Sequence, residues 1–393
     1  MKKLGFVVMR YGLEVNGGAE FHCRQWAEKL SRYYDIEILS TQALDYMVWD
    51  DYYPVGDCRV NGIKVKRFPV AHLRDVQEFN QLCAIVAPRE YVNREVELDW
   101  MEKQGPTSTE LIEYLRRHSD QYDAFVFFSY LYYTSFYGLQ AVKDKAILVP
   151  DAHDEWPIYL SIFDDEFKLP QAFFYNMEEE KAFVEKRFGV ENIPSGIGGA
   201  GVDIPENIDG GSFKKKYGID DYIIYVGRID ESKGCKELFE YFRRYKDERE
   251  GNTKLVLLGR PVMEIPEDEN IISLGFVSEE DKFNGVAGAK LLVLPSYLES
   301  LSIVVLEAFS LKKPVLVNGH CEVLKAHCEK SDAGLYYFDQ DDFGLKLGRL
   351  LYSESLRSEM GERGKAYVDR NYSWDVLTDN FNRLFDQVFG EGK

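Results

Sequence analysis

IPSGIGGAGVDIPENIDGG at residues 193–211, together with YIIYVG at 222–227, decides the fold. The first stretch is broken by glycine and proline too often for a regular element, so it reads as a linker. The second is a short apolar run ending in glycine, the pattern of a buried strand that opens into a loop. It restarts an alternation already present upstream in LGFVVM (4–9), IEILS (36–40), AFVFFS (124–129) and AILVP (146–150). The alternation continues downstream in KLVLLG (254–259), LLVLP (291–295) and PVLVN (314–318). Strands alternating with helical stretches of about 10–15 residues argue for βαβ units and parallel sheets. Eight such units exceed one sheet. The expectation is an α/β protein of two Rossmann-like, doubly wound domains facing a central cleft, with ligands at the carboxyl ends of the strands.

The expected division is residues 1–203 and 204–373, with the terminal segment 374–393 returning to the first domain. Residues 72–122 are charged and mostly helical in pattern and form an elaboration of that domain, with Ser108 where a helix cap belongs. Near the end, Trp374, Leu377, Phe381, Leu384, Phe385 and Phe389 recur at helical spacing and need a surface to pack on.

The 48 Lys+Arg against 67 Asp+Glu leave a net charge of −19. That field repels polyanions, so a nucleic-acid partner is not expected. The opening MKKLGFVVMRYG has no small-residue cleavage site behind it and reads as a first strand. The window 122–139, YDAFVFFSYLYYTSFYGL, carries Asp123 and five tyrosines, too polar for a span of about 20 apolar residues. Six dispersed cysteines make no disulfide framework. The expected location is the cytoplasm, with room for peripheral association at the inner face of the membrane but no transmembrane segment.

The densest chemistry lies in LLVLPSYLESLSIVVLEAF, residues 291–309. A strand ends at Pro295, a loop holds Glu299, and Ser300, Leu301 and Ser302 lead into a helix carrying Glu307. The two carboxylates are eight positions apart, at most about 12 Å along a helix. That separation suits gripping two parts of one extended ligand, while the helix terminus between them favours an anion. The layout fits a nucleotide sugar; the alternative is a capped surface helix whose acids complement its dipole. In GRIDESKG (227–234), Arg228 and Lys233 follow a strand and can neutralise a leaving diphosphate. An exposed loop with solvated charges is the alternative there. In NGGAE (16–20), Gly17 and Gly18 stand at the mouth of a helix, where backbone can approach a phosphate or form a tight turn. In AILVPDAHDEW, His153 and Asp154 follow a strand end; the histidine can reach a reacting sugar with Asp154 orienting it, or serve structure alone.

Taken together, these residues resemble retaining glycosyltransferases of family 4, which have the GT-B fold. The likeness covers nearly the whole chain: NGGAE, the His153-Asp154 pair, GVD at 201–203, GRIDESKG, Pro295-Ser296, the E-x7-E pair Glu299 and Glu307, and Lys313-Pro314-Val315. It implies that Arg228 and Lys233 bind the donor diphosphate, Glu299 the donor sugar and Glu307 the ribose. Gly17 and Gly18 would approach the diphosphate and His153 would lie beside the transferred sugar. Family members often have Gly-Phe-Gly after the first glutamate, whereas this chain has Ser300-Leu301-Ser302. The implied reaction is transfer with retention, with the leaving diphosphate helping to deprotonate the acceptor.

Asp339-Gln340-Asp341 has a D-x-D spacing, but it precedes a helical pattern and reads as an acidic helix start. His320, Cys321, His327 and Cys328 match no familiar zinc spacing and read as buried free thiols and a surface histidine. No metal or cofactor is therefore expected beyond the nucleoside-diphosphate sugar, with UDP ahead of GDP. Tyr130 and Tyr133, in the aromatic run after a first-domain strand, are candidates to stack on the acceptor, against a role in the core. The acceptor would be a saccharide or glycolipid in surface-polysaccharide or glycolipid synthesis, docked if at a membrane through a small patch such as Lys214 to Lys216. Alternatives are a sugar-nucleotide epimerase or phosphorylase of the same fold, and a catalytically silent glycan-binding subunit.

Overall fold

The computed structural model describes residues 1–15, 17–88 and 92–390. Asn16 of the NGGAE motif and residues 89–91 of the helical elaboration lie outside the described residues. The chain divides into two units, Met1–Ala200 with Leu377–Lys393, and Gly201–Val376.

The first unit holds β1 (Lys3–Val7), β2 (Asp35–Thr41), β3 (Gly56–Val60), β4 (Ile63–Phe68), β5 (Ala124–Phe128), β6 (Ala146–Val149), β7 (Ala172–Tyr175) and β8 (Ser195–Ile197). They form one sheet in the order β3-β4-β2-β1-β5-β6-β7-β8. All neighbours are parallel except β3 and β4, an antiparallel hairpin whose two-residue turn is Asn61-Gly62, both at positive φ. The strand order reverses between β1 and β5, so the loops after those two strands diverge and leave a crevice.

The second unit holds β9 (Tyr222–Val226), β10 (Lys254–Leu258), β11 (Ile271–Ser273), β12 (Leu292–Leu294), β13 (Val315–Asn318) and β14 (Gly334–Tyr337). The sheet is wholly parallel, in the order β11-β10-β9-β12-β13-β14. Its reversal falls between β9 and β12, where Leu292 stands opposite Ile224. Strands β5, β6, β12 and β13 are buried throughout. Helices cover both faces of such sheets, which is why these strands read as unbroken apolar runs and not as alternations.

Residues 72–122 form the helices Val76–Val86, Arg94–Gln104 and Thr109–His118. Asp75 and Asn93 cap the first two through the N–H groups of Glu78 and Val96. Ser108 stands at the third N-terminus but does not cap it; its hydroxyl donates to the Pro69 carbonyl at 2.7 Å. Trp100 anchors the group against Phe79 and Trp156. The terminal helix Trp374–Phe389 lays its apolar stripe on the first unit, where the Phe381 ring meets Trp26, Tyr34 and Phe174 at 5.3–5.9 Å between centroids. The Asn380 amide also donates to the Ile197 carbonyl at the end of β8. Among the described residues no helix is long and apolar enough to cross a membrane. The apolar window 122–139 resolves into β5, a loop and part of the helix Tyr133–Val142. All six cysteines are free thiols.

Candidate active site

Two motifs leave the second sheet from neighbouring strands at its reversal point. GRIDESKG follows β9, and the Pro295–Glu299 loop follows β12. Asp230 shapes the first loop by accepting from Ser232 Oγ at 2.5 Å, from the Lys233 N–H at 3.1 Å and from Arg228 Nε. Burial alone would raise the Asp230 carboxyl, but the Ser232 hydroxyl and the Arg228 charge hold it below the usual carboxylate range. The Arg228 side chain remains 44% exposed. Gly234 ends the following turn at φ 74°, and a Cβ there would stand 2.4 Å from the Pro295 carbonyl oxygen. Only glycine permits both that backbone and that approach, and the two loops are drawn together as a result. Lys233 Nζ thus comes within 2.8 Å of Glu299 Oε1.

Beyond Glu299 the chain turns sharply at Ser302, which begins the helix Ile303–Ser310 in the left-handed region, at φ 65° and ψ 74°. Its hydroxyl makes no cap, and Oγ is buried without a hydrogen-bond partner. Leu301 is buried, and its carbonyl oxygen lies 2.6 Å from His327 Nε2. Because a carbonyl only accepts, Nε2 carries the proton, leaving Nδ1 to face the Tyr367 hydroxyl at 3.2 Å. His327 is therefore a buried support under the Ser300–Ser302 turn, not a surface histidine; His320 is the exposed one. Glu307, on the second turn of the helix, is buried against Lys282, whose Nζ stands 2.8 Å from Oε1.

In the first unit, Gly17 precedes the helix Gly18–Leu30 with extended backbone, and the space where a Gly18 side chain would stand is open to 4 Å. Behind them Arg10 Nε donates to Glu20 Oε1 at 2.8 Å, a buried ion pair that fixes the loop after β1. His153 follows β6, with Nε2 at 3.4 Å from Glu155 Oε2. Glu155 Oε1 in turn accepts from the Tyr130 hydroxyl at 3.0 Å. Asp154 is exposed and accepts from Tyr159 at 2.6 Å, so the residue beside the histidine is Glu155 and not Asp154. Asp154 is exposed, while Glu155 is half-buried and held by the buried Tyr130 hydroxyl.

Tyr130 and Tyr133 are core residues. Tyr130 is fully buried against Phe163 and Phe167, and Tyr133 packs on Tyr137 within the helix Tyr133–Val142. An acceptor would have to displace that core to reach their faces, so neither is an acceptor platform. Asp339 caps the helix Gln340–Tyr352 through the Asp342 N–H, while Asp341 pairs with Arg244. Among the described residues no cluster of His, Cys, Asp and Glu could hold a metal ion.

Glu155 in the first unit, and Lys282 and His327 in the second, contact candidate residues and were not singled out for a role by sequence reasoning. Glu155 could have been found as the next acid after the histidine. Lys282 and His327 carry no local signal, because each meets its partner across helix packing.

Residues 212–367 match the family described as glycosyl transferases group 1. Two curated relatives are an uncharacterized glycosyltransferase of Methanocaldococcus jannaschii, 27% identical over 46% of this chain and 50% of that protein, and the capsular polysaccharide biosynthesis glycosyltransferase CapM of Staphylococcus aureus, 24% identical over 44% and 48%. The chain spans about half the length of these relatives. Among solved structures it is similar to sucrose-phosphate synthase from Thermosynechococcus elongatus, with TM-score 0.73 and 14% identity over 100% of both chains. It is also similar to Anabaena HepE in complex with UDP and glucose, with TM-score 0.67 and 12% identity over 98% of this chain and 100% of that one. Residues 212–367 thus resemble the glycosyl transferases group 1 family, and the chain has the GT-B fold.

Proposed function

We propose that the protein is a retaining, nucleotide-sugar-dependent glycosyltransferase of family 4. The observation that carries this reading is the Lys233–Glu299 contact at the reversal point of the second sheet, which sets a cation and a carboxylate side by side, four positions before the helix Ile303–Ser310 begins. Lys233, the exposed Arg228 and that terminus offer positive charge to a leaving diphosphate, so the reading needs no metal. Glu299 accepts from donor-sugar hydroxyls, and Glu307 from those of the ribose. Ser300, Leu301 and Ser302 present backbone N–H groups to the donor.

In the reaction the bond between the anomeric carbon and the diphosphate oxygen breaks, and the acceptor oxygen bonds to that carbon on the same face. The acceptor proton passes to the departing diphosphate, which takes both electrons of the broken bond. UDP is the favoured donor nucleotide, supported by the UDP in the similar HepE structure. A saccharide or glycolipid acceptor in surface-polysaccharide synthesis is supported by the likeness to CapM.

The test is a thermal-stabilisation screen of UDP and GDP sugars, followed by transfer assays with anomeric configuration read by NMR. A stabilising donor and a product that keeps the donor's configuration are expected. Each of Glu299→Ala and Lys233→Ala should lower turnover by about a hundredfold or more. Near-wild-type turnover in both variants would falsify the assignment, an epimerised or phosphorolysed product would replace it, and a chain that binds no donor would be a silent subunit.

A further inference from the structure

Lys282 lies on the first turn of the helix Glu279–Gly288, with its side chain only 16% exposed. Its Nζ stands 2.8 Å from Glu307 Oε1 and 2.9 Å from Glu279 Oε2. Glu279 is largely in water, whereas the Glu307 side chain is 9% exposed. A buried ammonium is costly unless paired, so its place under Glu307 is a specific arrangement and not a surface ion pair. Burial pushes the Glu307 carboxyl up, and the Lys282 charge opposes that rise. Burial would likewise strip the Lys282 proton, but Glu307 and Glu279 hold the ammonium above its usual value. A carboxylate that is to accept from hydroxyls must be both ionised and held in one orientation.

We propose that Lys282 is a positioning residue of the donor site, holding the Glu307 carboxyl in place for the ribose hydroxyls of the nucleotide. The proposal rests on the glycosyltransferase reading, which gives Glu307 that ligand. Lys282 itself acts through Glu307 and does not touch the donor.

Calorimetry tests it with UDP and GDP and their 2′-deoxy counterparts between pH 6 and 8. The proteins compared are the wild type, Lys282→Arg, Lys282→Gln and Lys282→Met. The wild type should prefer the ribose forms by about tenfold, the worth of one hydrogen bond to a charged group. In Lys282→Met that preference should fall toward unity, and affinity should drop about tenfold more between pH 8 and 6 as the unopposed Glu307 takes up a proton. Lys282→Arg should restore both properties. Lys282→Gln keeps a donor without the charge, so it should recover part of the preference and none of the pH behaviour, and it serves where Lys282→Met does not fold. Wild-type preference and pH profile in the neutral variants overturn the proposal, as does a wild type that binds both sugar forms equally. A wild type that binds neither UDP nor GDP fails at an earlier point and removes the glycosyltransferase reading, and the proposal with it.

Discussion

Lys233 Nζ and Glu299 Oε1 lie 2.8 Å apart, and that contact joins two loops that leave β9 and β12 more than sixty positions apart in sequence. Both residues are partly exposed, at 33% and 16% of the side chain. The pair is therefore poorly explained as a device for stability, since partly exposed ion pairs contribute only ~0–1 kcal/mol. Its geometry is better explained by what each charge can do for a ligand that separates them.

Exchanging the two charges separates stability from function. The double variant Lys233→Glu with Glu299→Lys keeps an opposite-charge pair, and its unfolding free energy should stay within about 1 kcal/mol of wild type. Donor binding should nevertheless be lost, because a carboxylate now faces the diphosphate and an ammonium the sugar. Urea denaturation beside nucleotide calorimetry decides the matter. Recovery of binding in the exchanged protein would show that the pair has only a structural role.

Ser302 supports a prediction of opposite sign. It holds φ 65° where the resembled family often has glycine, and its hydroxyl is buried without a partner. A side chain in the left-handed region costs ~1–2 kcal/mol, against ~0.5–1 kcal/mol for the extra freedom that glycine has in the unfolded chain. Ser302→Gly should therefore stabilise the protein by roughly 0.5–1 kcal/mol, read as a higher urea midpoint at unchanged slope. Ser302→Val, branched at Cβ, should lower the midpoint.

Glu155 and Asp154 form a matched pair of neighbours. Glu155 bridges the buried Tyr130 hydroxyl and His153, while Asp154 faces solvent beside Tyr159. Glu155→Gln should lower kcat about tenfold or more by loosening the histidine, with a smaller effect on donor KM. Asp154→Asn should change kcat by less than about twofold. Steady-state kinetics on both variants check the assignment, which fails if Asp154 proves the more sensitive.

Much of this fold was legible because a parallel strand covered on both faces has to be apolar at every position. LGFVVM, IEILS, AFVFFS and AILVP correspond to β1, β2, β5 and β6, and the four later runs to β9, β10, β12 and β13. Strands β3, at the sheet edge, and β4 beside it escaped notice because they alternate between polar and apolar residues, although Asn61-Gly62 between them is a strong hairpin signal. Strand β8 falls inside the glycine- and proline-broken stretch 193–211 that reads as a linker, so that part of the linker reading is corrected, and β11 is largely unburied and lacks the apolar run that marks the others. In the candidate site, Arg228, Lys233, Glu299 and Glu307 could be found because each sits at a fixed distance from a strand end. Lys282 and His327 could not, since their partners Glu307 and Leu301 are 25 and 26 positions away and are met only through packing.

Glu166 gives the protein a pH dependence that can be isolated. It is buried, and burial pushes its carboxyl well above the ordinary glutamate value, with Gln140 and Arg94 opposing that rise. The folded form therefore keeps a proton that the unfolded form has released. Its stabilising contribution is complete below the unfolded value of about 4.3 and is lost as pH rises toward the folded one, at ~1.4 kcal/mol for each unit between them. Glu166→Gln removes the titration while preserving shape. The variant should match wild type near pH 4 and exceed it increasingly as pH rises toward the folded value, as measured by urea unfolding at each pH. The buried Glu180 is also raised, but its oxygens accept from the N–H groups of Ala152 and Asn176, each at 2.6 Å. An amide cannot accept at both positions, so Glu180→Gln should destabilise where Glu166→Gln stabilises. A Glu166→Gln variant that gains nothing on wild type as pH rises would overturn the assignment of Glu166 as a proton-holding core residue, and a Glu180→Gln variant as stable as wild type would show that the two N–H bonds do not need a carboxylate.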